Sequence, residues 1–420
     1  MTNIKKQIIL ISILVAMFQS FSFGQGSTYG GSYVSSAPIV LDGINNQTIS
    51  KLSIKNPSGH CIKLSNCSNI TIENCQLGPS TGEGVFLSNC KNITVTNCSM
   101  DHVESGVVAD IGSGIKVLHN DVRNVQGPMP RGQMVQFGNV SGTGNSISYN
   151  VGENVPGQSF PEDEVSLFKS NGTLDDPIQI VGNWIRGGGP SNSGGGIMTG
   201  DMGGSNVLVQ DNILVNPGQY GITISSGDHI TINNNKIFSY KQKSSNIGLS
   251  AYNQYPSVAT FANTVSNNQV NFTNKDGVLN NLYNPGNAGV ITGWDTNVYN
   301  ENLTSDILPA IIIGRAKADT STTVAPPTVP TTPNPPKSAD ITLKIYPNPV
   351  YSHSIIVTAA TPNTEKIIIY NLNGQIEIEK SINNSKTEIN SSKLPTGVHI
   401  VKILKDNVVI DTRKIIVGKK

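Results

Sequence analysis

The densest group of residues able to do chemistry lies near the middle of the 420-residue chain, where Pro161-Glu162-Asp163-Glu164 leads into Phe168-Lys169-Ser170-Asn171-Gly172. Before it stands Pro130-Arg131-Gly132-Gln133, with Gln136 just beyond; after it come Gly200-Asp201, Tyr220, Asp228 and Tyr252-Asn253-Gln254-Tyr255. Two chemistries suit these residue types. Elimination from a uronic acid needs a cation or amide to neutralise the carboxylate, a base near the C5 proton and an acid for the departing oxygen. Arg131, Lys169 and Tyr252 fill those roles in that order, and Lys169 serves as base once partial burial or the nearby Arg131 lowers its pKa. Hydrolysis needs two carboxylates facing one sugar bond, and Asp163, Glu164, Asp201 and Asp228 supply them. Asp163 and Glu164 are adjacent, so on a strand they point to opposite faces, and Glu164 pairs better with Asp201. The plain alternative is structural: a lysine paired with Asp201 on a solvated edge, and acids that form turns.

Other polar residues in this stretch are candidates for holding substrate: Gln133, Gln136, Glu164, Asp201, Tyr220 and Tyr255. Tyr252 and Tyr255 can stack on sugar rings, because an aromatic ring offers a broad apolar face with a polar tip, or they can simply pack a loop. Gly-rich Arg186 to Gly196 lacks the strand-to-helix setting of a phosphate loop and reads as a turn. His102, His119 and His229 are spread along the chain without metal-ligand spacing, and no CxxC pair occurs, so no metal site is assigned. Cys67 and Cys90, and Cys75 and Cys98, each stand 23 residues apart, which fits a stacked ladder better than zinc.

The elements that position these residues follow from a repeat. Cys61-Ile62-Lys63-Leu64 aligns with Gly84-Val85-Phe86-Leu87, and Asn69-Ile70-Thr71-Ile72-Glu73-Asn74 with Asn92-Ile93-Thr94-Val95-Thr96-Asn97. The unit returns at Gly106, Met134, Glu164, Gly196, Gly221 and Gly248, making eight rungs. A second register, Asn74, Asn97, Asn120, Asn150, Asn183, Asn212, Asn235 and Asn268, reads as an asparagine ladder whose amides bond from turn to turn. Alternation puts Val107, Val135, Val165, Ile197 and Ile222 inside, with Ala109, Phe137, Leu167 and Ile224 two residues later, and leaves the residues between them facing solvent. The rung spacing grows from 22 residues after Val85 to 28, 30 and 32 over the next three, so loops lengthen in the middle and wall a cleft. In this alignment Lys169, Asp201 and Asn253 share one edge.

These rungs resemble the pectate-lyase-like right-handed parallel β-helix proteins over residues 36 to 315. The resemblance implies a solenoid whose relatives include polysaccharide lyases, glycoside hydrolases and epimerases, and calcium held by Asp and Glu side chains as the cofactor of many lyases of this fold. Gly293-Trp294-Asp295 through Ile313 reads as a segment closing the core end. A Pro- and Thr-rich linker, residues 319 to 339, leads to short alternating strands of a small β-sandwich over residues 340 to 420. There Tyr346-Pro347-Asn348-Pro349, Tyr370-Asn371-Leu372-Asn373-Gly374-Gln375, Leu394-Pro395-Thr396-Gly397 and Lys414-Ile415-Ile416-Val417 resemble the type A sorting domain of the type IX secretion system. That resemblance implies an outer-membrane export route, with the secretion machinery as partner and later removal of the domain.

The fold class is therefore all-β: a right-handed single-stranded parallel β-helix followed by a small C-terminal β-sandwich. Lys5 and Lys6, an apolar run from Ile8 to Phe18 and small residues before Gln25 make residues 1 to 24 a signal peptide, so the protein is secreted or held at the cell surface. The formal net charge of +1 provides no global field for nucleic acid. The expected activity is β-elimination on an anionic, uronate-containing polysaccharide such as alginate by a monomer. A glycoside hydrolase and a non-catalytic polysaccharide-binding surface protein are the alternatives.

Overall fold

In the computed structural model the described residues are 32–314 and, in the C-terminal unit, 344–346, 350, 354–358, 366–371, 375–381, 386–405 and 408–418. The expected signal peptide and the linker lie outside the described residues. The two units are described separately.

Residues 32–314 wind as a parallel β-helix. Every strand pairing in this unit is parallel, each strand lying beside its counterpart one coil away: Val107 pairs with Val85 on one side and Val135 on the other, and Val135 with Val165. One sheet has eleven strands, from Val34–Ser36 to Val298–Tyr299. The remaining strands form two further columns that meet at a corner. Long strands such as Val85–Thr96 and Val107–Leu118 run round it, while shorter pairs such as Val135–Val140 and Ser146–Ser148 break at it. The repeat thus continues one coil on each side of the eight rungs, with Ile39–Asp42 before and Leu282–Tyr283 after.

Alternation decides the core. Val107, Val135, Val165, Ile197 and Ile222 are fully buried together with Phe137, Leu167 and Ile224, and each buried aliphatic side chain of this size contributes about 1.5–3 kcal/mol of hydrophobic stabilisation. Gly84, Gly106, Gly196, Gly221 and Gly248 form another inward column. A Cβ on Gly106 would sit 2.3 Å from the Met134 carbonyl oxygen, and one on Gly221 2.5 Å from Ile237.

The polar ladder exists, but it is composed differently from the sequence reading. Asn120, Asn150, Asn183, Asn212, Asn235 and Asn268 each pass an amide hydrogen to the next side chain, at 2.7–3.1 Å, and the ladder ends on Asn297 Oδ1. In the first coils the ladder position belongs to Cys75 and Cys98: Cys98 N–H donates to Asn120 Oδ1 at 3.0 Å, and Cys75 N–H to Cys98 Sγ at 3.5 Å. Asn74 and Asn97 stand one residue earlier, in left-handed backbone with φ of 52°, a conformation asparagine tolerates. All five cysteines are buried thiols.

The segment after the last coil also differs from expectation. Trp294 packs against the end of the core, as a closing segment should. The chain then turns back along the eleven-stranded sheet: Leu308 and Ile312 cluster with Val151 and Val215, and Gly314 N–H donates to Asp121 Oδ2 at 2.7 Å. Arg186 clasps this return by bonding Glu153, the Ala310 carbonyl at 3.0 Å and the Pro309 carbonyl. Burial of the apolar sheet face of Val151 and Val215 is the physical reason for the turn.

The C-terminal unit holds a three-stranded antiparallel sheet, Lys344–Tyr346, Ser354–Thr358 and Lys386–Asn390, and a four-stranded one, Ile376–Ser381, Lys366–Tyr370, Gly397–Lys405 and Val408–Val417. Ile389 of the first meets Ile367, Ile369, Val401 and Ile415 of the second in one core. A small sandwich results, as expected. Tyr346 and Leu394-Pro395-Thr396-Gly397 fall within described strands and turns; residues 347–349 and 372–374 of the sorting motifs lie outside the described residues.

Candidate functional site

A cavity of about 1000 Å³ opens on the outward face of one sheet. Its floor is the row of side chains that follows each inward residue by one: Gln136, Ser166, Met198, Thr223, Ser250 and Tyr283, in register from coil to coil. Alternation by itself predicts that these positions face solvent. Ser166, Thr223 and Ser250 are instead buried, because the long central loops rise on both sides.

One side of the cavity is built by residues entering the strands. Asp163, Gly195 and Tyr220 occupy equivalent positions on successive coils, since Glu164, Gly196 and Gly221 follow them in the glycine column. Gly195 has no side chain, and the Tyr220 ring fills the space: a Cβ there would lie 2.7 Å from it. Tyr220 therefore reaches two coils to donate its hydroxyl to Asp163 Oδ1, which also accepts from Gly195 N–H at 3.2 Å. Burial pushes the Asp163 carboxyl up to about 7, against the lowering effect of these two hydrogen bonds, and the charges of Glu162 and Asp201 add to the rise. Burial likewise drives the Tyr220 hydroxyl well above its ordinary value, with the Asp163 charge adding. Glu162, beside Asp163, accepts from the Ser193 hydroxyl.

The opposite side is built where the strands end. Asp201 lines the cavity and accepts a hydrogen bond from the Tyr255 hydroxyl. Tyr252 is 40% exposed, and its ring stands 6.0 Å from that of Tyr283, centroid to centroid. Glu162, Asp163 and Asp201 are the carboxylates of the lining, which contains no lysine, arginine or histidine.

The cavity brings together Gln133, Gln136, Asp201, Tyr220, Tyr252 and Tyr255. Four other candidates stand apart. Glu164 takes the inward glycine-column position: fully buried, it accepts from Asn154 Nδ2 at 2.8 Å, and burial holds its carboxyl well above the usual range. Its pairing with Asp201 therefore does not form, and Asp163, facing outward, is the acid that shares the cavity with Asp201. Lys169 is exposed in left-handed backbone, φ 48°, with its ammonium 5.0 Å from the Phe168 ring. A bulge places Phe168 opposite Asp201, so Lys169, Asp201 and Asn253 do not share one edge as the alignment implied. Arg131 stands behind the cavity: its Nε donates to Glu83 Oε1 at 2.8 Å and its Nη1 to Gln136 Oε1 at 2.9 Å. Asp228 pairs with His229 outside the lining.

Glu162, Gln219 and Tyr283 also line the cavity without having been assigned a role from sequence. Gln219 carried a usable signal, since it precedes the rung at Gly221 by the same interval as Glu162 precedes Glu164. Among the described residues no group of three or more His, Cys, Asp or Glu converges to hold a metal ion.

Comparison with known proteins bears on the fold. Residues 37–304 match the family model of a right-handed β-helix region, and residues 344–418 that of a secretion system C-terminal sorting domain. No curated protein matches the chain. Among solved structures, the chain is similar to a point mutant of the tailspike protein of E. coli bacteriophage HK620 in complex with a pentasaccharide, at 10% identity over 88% of this chain and 68% of that one, with a TM-score of 0.29. A double mutant of the same tailspike is similar at 9% identity over 91% and 70%, with a TM-score of 0.25. The first match spans more than half of the sequence: the chain belongs to the right-handed β-helix family and carries a type IX secretion-sorting tail.

Proposed function

We propose that the protein is an exported glycoside hydrolase acting on an uncharged polysaccharide. The observation that carries this reading is the cavity lining: three carboxylates, Glu162, Asp163 and Asp201, on a row of hydroxyl and amide side chains with no cation among them. A uronate placed there would meet the like charge of Glu162 and Asp201, which disfavours it. A neutral sugar would meet only hydrogen-bonding partners and the tyrosine faces.

The chemistry follows from the difference between the two sides. Asp163, with its carboxyl raised to about 7 by burial, keeps a proton near neutral pH and hands it to the glycosidic oxygen as the bond to the anomeric carbon breaks. Its Oδ1 is engaged by Tyr220 and Gly195, so Oδ2 is the oxygen left to face the sugar. Asp201 is the partner carboxylate across the cavity, activating the water or attacking the anomeric carbon. Water adds across the broken bond, leaving a new reducing end and a new hydroxyl. The sorting tail supports action outside the cell.

Elimination through Arg131, Lys169 and Tyr252 draws less support. The Arg131 guanidinium is engaged by Glu83 and Gln136, Lys169 lies outside the lining, and Tyr252 alone faces the cavity. The test is to incubate the full-length chain with neutral glucans, mannans and xylans, and with alginate and pectate. New reducing ends from a neutral polymer without ultraviolet absorbance are the expected result. Absorbance from an unsaturated uronyl end on alginate or pectate would overturn the reading in favour of elimination.

A further inference from the structure

The floor of the groove does not run the whole length of the sheet. On the coil before Gln136 the outward residue is Val108, in register with Gln136 on one side and Phe86 on the other. Val108 lies outside the core cluster yet is only 2% exposed. An outward apolar side chain is hidden from water only when something covers it, and the cover is identified by its anchor points. Arg131 bonds Glu83 at the entry to the coil of Phe86 and Gln136 on the coil beyond Val108, so its side chain spans the coil between them. Glu83 is itself buried and also pairs with His60, which fixes the far end of the span. The loop carrying Arg131 is tied down further. Gly132 N–H donates to Ser105 Oγ at 2.8 Å, and Gln133 Nε2 donates to the Pro130 carbonyl at 3.0 Å. Met129 and Pro130 of the same loop face the cavity, and Ser193, on the loop that enters the coil of Met198, touches Met129 Sδ at 3.9 Å on the same side of the groove.

We infer that this strap makes the groove blind at its N-terminal end, so that the cavity receives the terminal one or two units of a neutral glycan chain and the protein works from chain ends. The inference rests on the hydrolase reading above and deepens it. Coils stack about 4.8 Å apart. From the covered coil of Val108 to the coil of Asp163 and Ser166 there are two such steps, about 10 Å, which is room for one or two hexose units before the acids. On the other side Met198, Thr223, Ser250 and Tyr283 extend the floor by four steps, about 19 Å. There the exposed Tyr252 and Tyr283 rings leave the groove open for the rest of the chain. An ion pair whose carboxylate is buried and whose guanidinium is half-buried is a suitable bar for this purpose. Removing one partner strands a charge and is costly, so the strap holds one position.

The experiment uses the full-length chain carrying Asp163→Asn, and cello-, manno-, xylo- and laminarihexaose. Each is offered free, with a fluorophore on the reducing end, or with a fluorophore on the other end, and binding is followed by titration calorimetry. For a hexaose that binds, one of the two blocked forms should lose at least tenfold in affinity while the other keeps it. Adding Glu83→Gln with Arg131→Leu, which removes both charges of the bar together, should restore the lost binding. Equal affinity for both blocked forms, or no binding by any member of the panel, overturns the proposal. The chain without substitutions separates this failure from that of the hydrolase reading. Cleavage with an early fall in polymer viscosity sinks chain-end action alone, whereas one-ended binding without cleavage sinks hydrolysis alone.

Discussion

Tyr220 donates its phenolic hydroxyl to Asp163 from two coils away, across Gly195, whose missing side chain leaves the path open. The bond stabilises the charged form of Asp163 and so works against the burial that raises its pKa. Tyr220→Phe should therefore raise the Asp163 pKa above about 7 and move the alkaline limb of the pH–rate profile upward. A profile that stays in place while the rate falls would show that Tyr220 acts only by packing.

Gly195→Ala inserts a Cβ 2.6 Å from the Tyr220 carbonyl oxygen and 2.7 Å from its ring. Overpacking of this kind costs about 1–3 kcal/mol, and it displaces the donor from Asp163. Thermal unfolding and the pH–rate profile should both shift, and in the profile the change should resemble that of Tyr220→Phe.

Asp163→Asn and Asp201→Asn should each lower hydrolysis by about 100-fold or more, the usual worth of a positioned acid or base, while substrate binding stays within a few fold. Retention of most activity by either variant would remove that carboxylate from the mechanism.

Stability should depend on pH through two buried acids. Burial raises Asp163 to about 7 and holds Glu164 well above the usual carboxylate range, whereas in the unfolded chain both titrate near 4. Between those values the folded protein binds more protons than the unfolded one, so the slope of unfolding free energy against pH is negative. The stabilisation is fully present below about pH 4, and the Asp163 share is lost as pH rises through about 7. The melting temperature should fall between mildly acidic and mildly alkaline buffer, and Asp163→Asn with Glu164→Gln should flatten that fall.

Asn183 accepts from the amide and the side chain of Asn150, and donates to the Ile147 carbonyl and to Asn212. Asn183→Ala leaves two buried donors of Asn150 and the Ile147 carbonyl unmatched, each worth about 1–3 kcal/mol. It should lower stability in denaturant titration by more than Cys98→Ala, because sulfur makes weaker hydrogen bonds and a buried thiol behaves largely as a small apolar group.

Much of the fold was legible because a solenoid repeats a local rule. Val135, Val165 and Ile197 recur with the same neighbours, so alternation assigned their faces without knowledge of distant contacts. The rule fails where a rung departs from it. Asn74 and Asn97 stand one residue before the ladder because cysteine fills its position in those coils, and a thiol is not an obvious continuation of an amide column. Counting four residues from Val165 put Lys169 beside Asp201, but the bulge before Phe168 shifts the register and turns Lys169 outward.

The sequence by itself determined the β-helix, its inward residues, the stretch where loops lengthen and the C-terminal sorting motifs, since each depends on spacing along one strand or one turn. Only the tertiary structure decided which acid enters the groove. Asp163 and Glu164 are neighbours, and the choice between them rests on the glycine column that draws Glu164 inward and on Tyr220 reaching over Gly195 from another coil. The same holds for Arg131, whose role as a bar over Val108 depends on Glu83, 48 residues away in sequence. Contacts between coils set the chemistry here, because stacking brings together side chains whose separation along the chain varies with every loop.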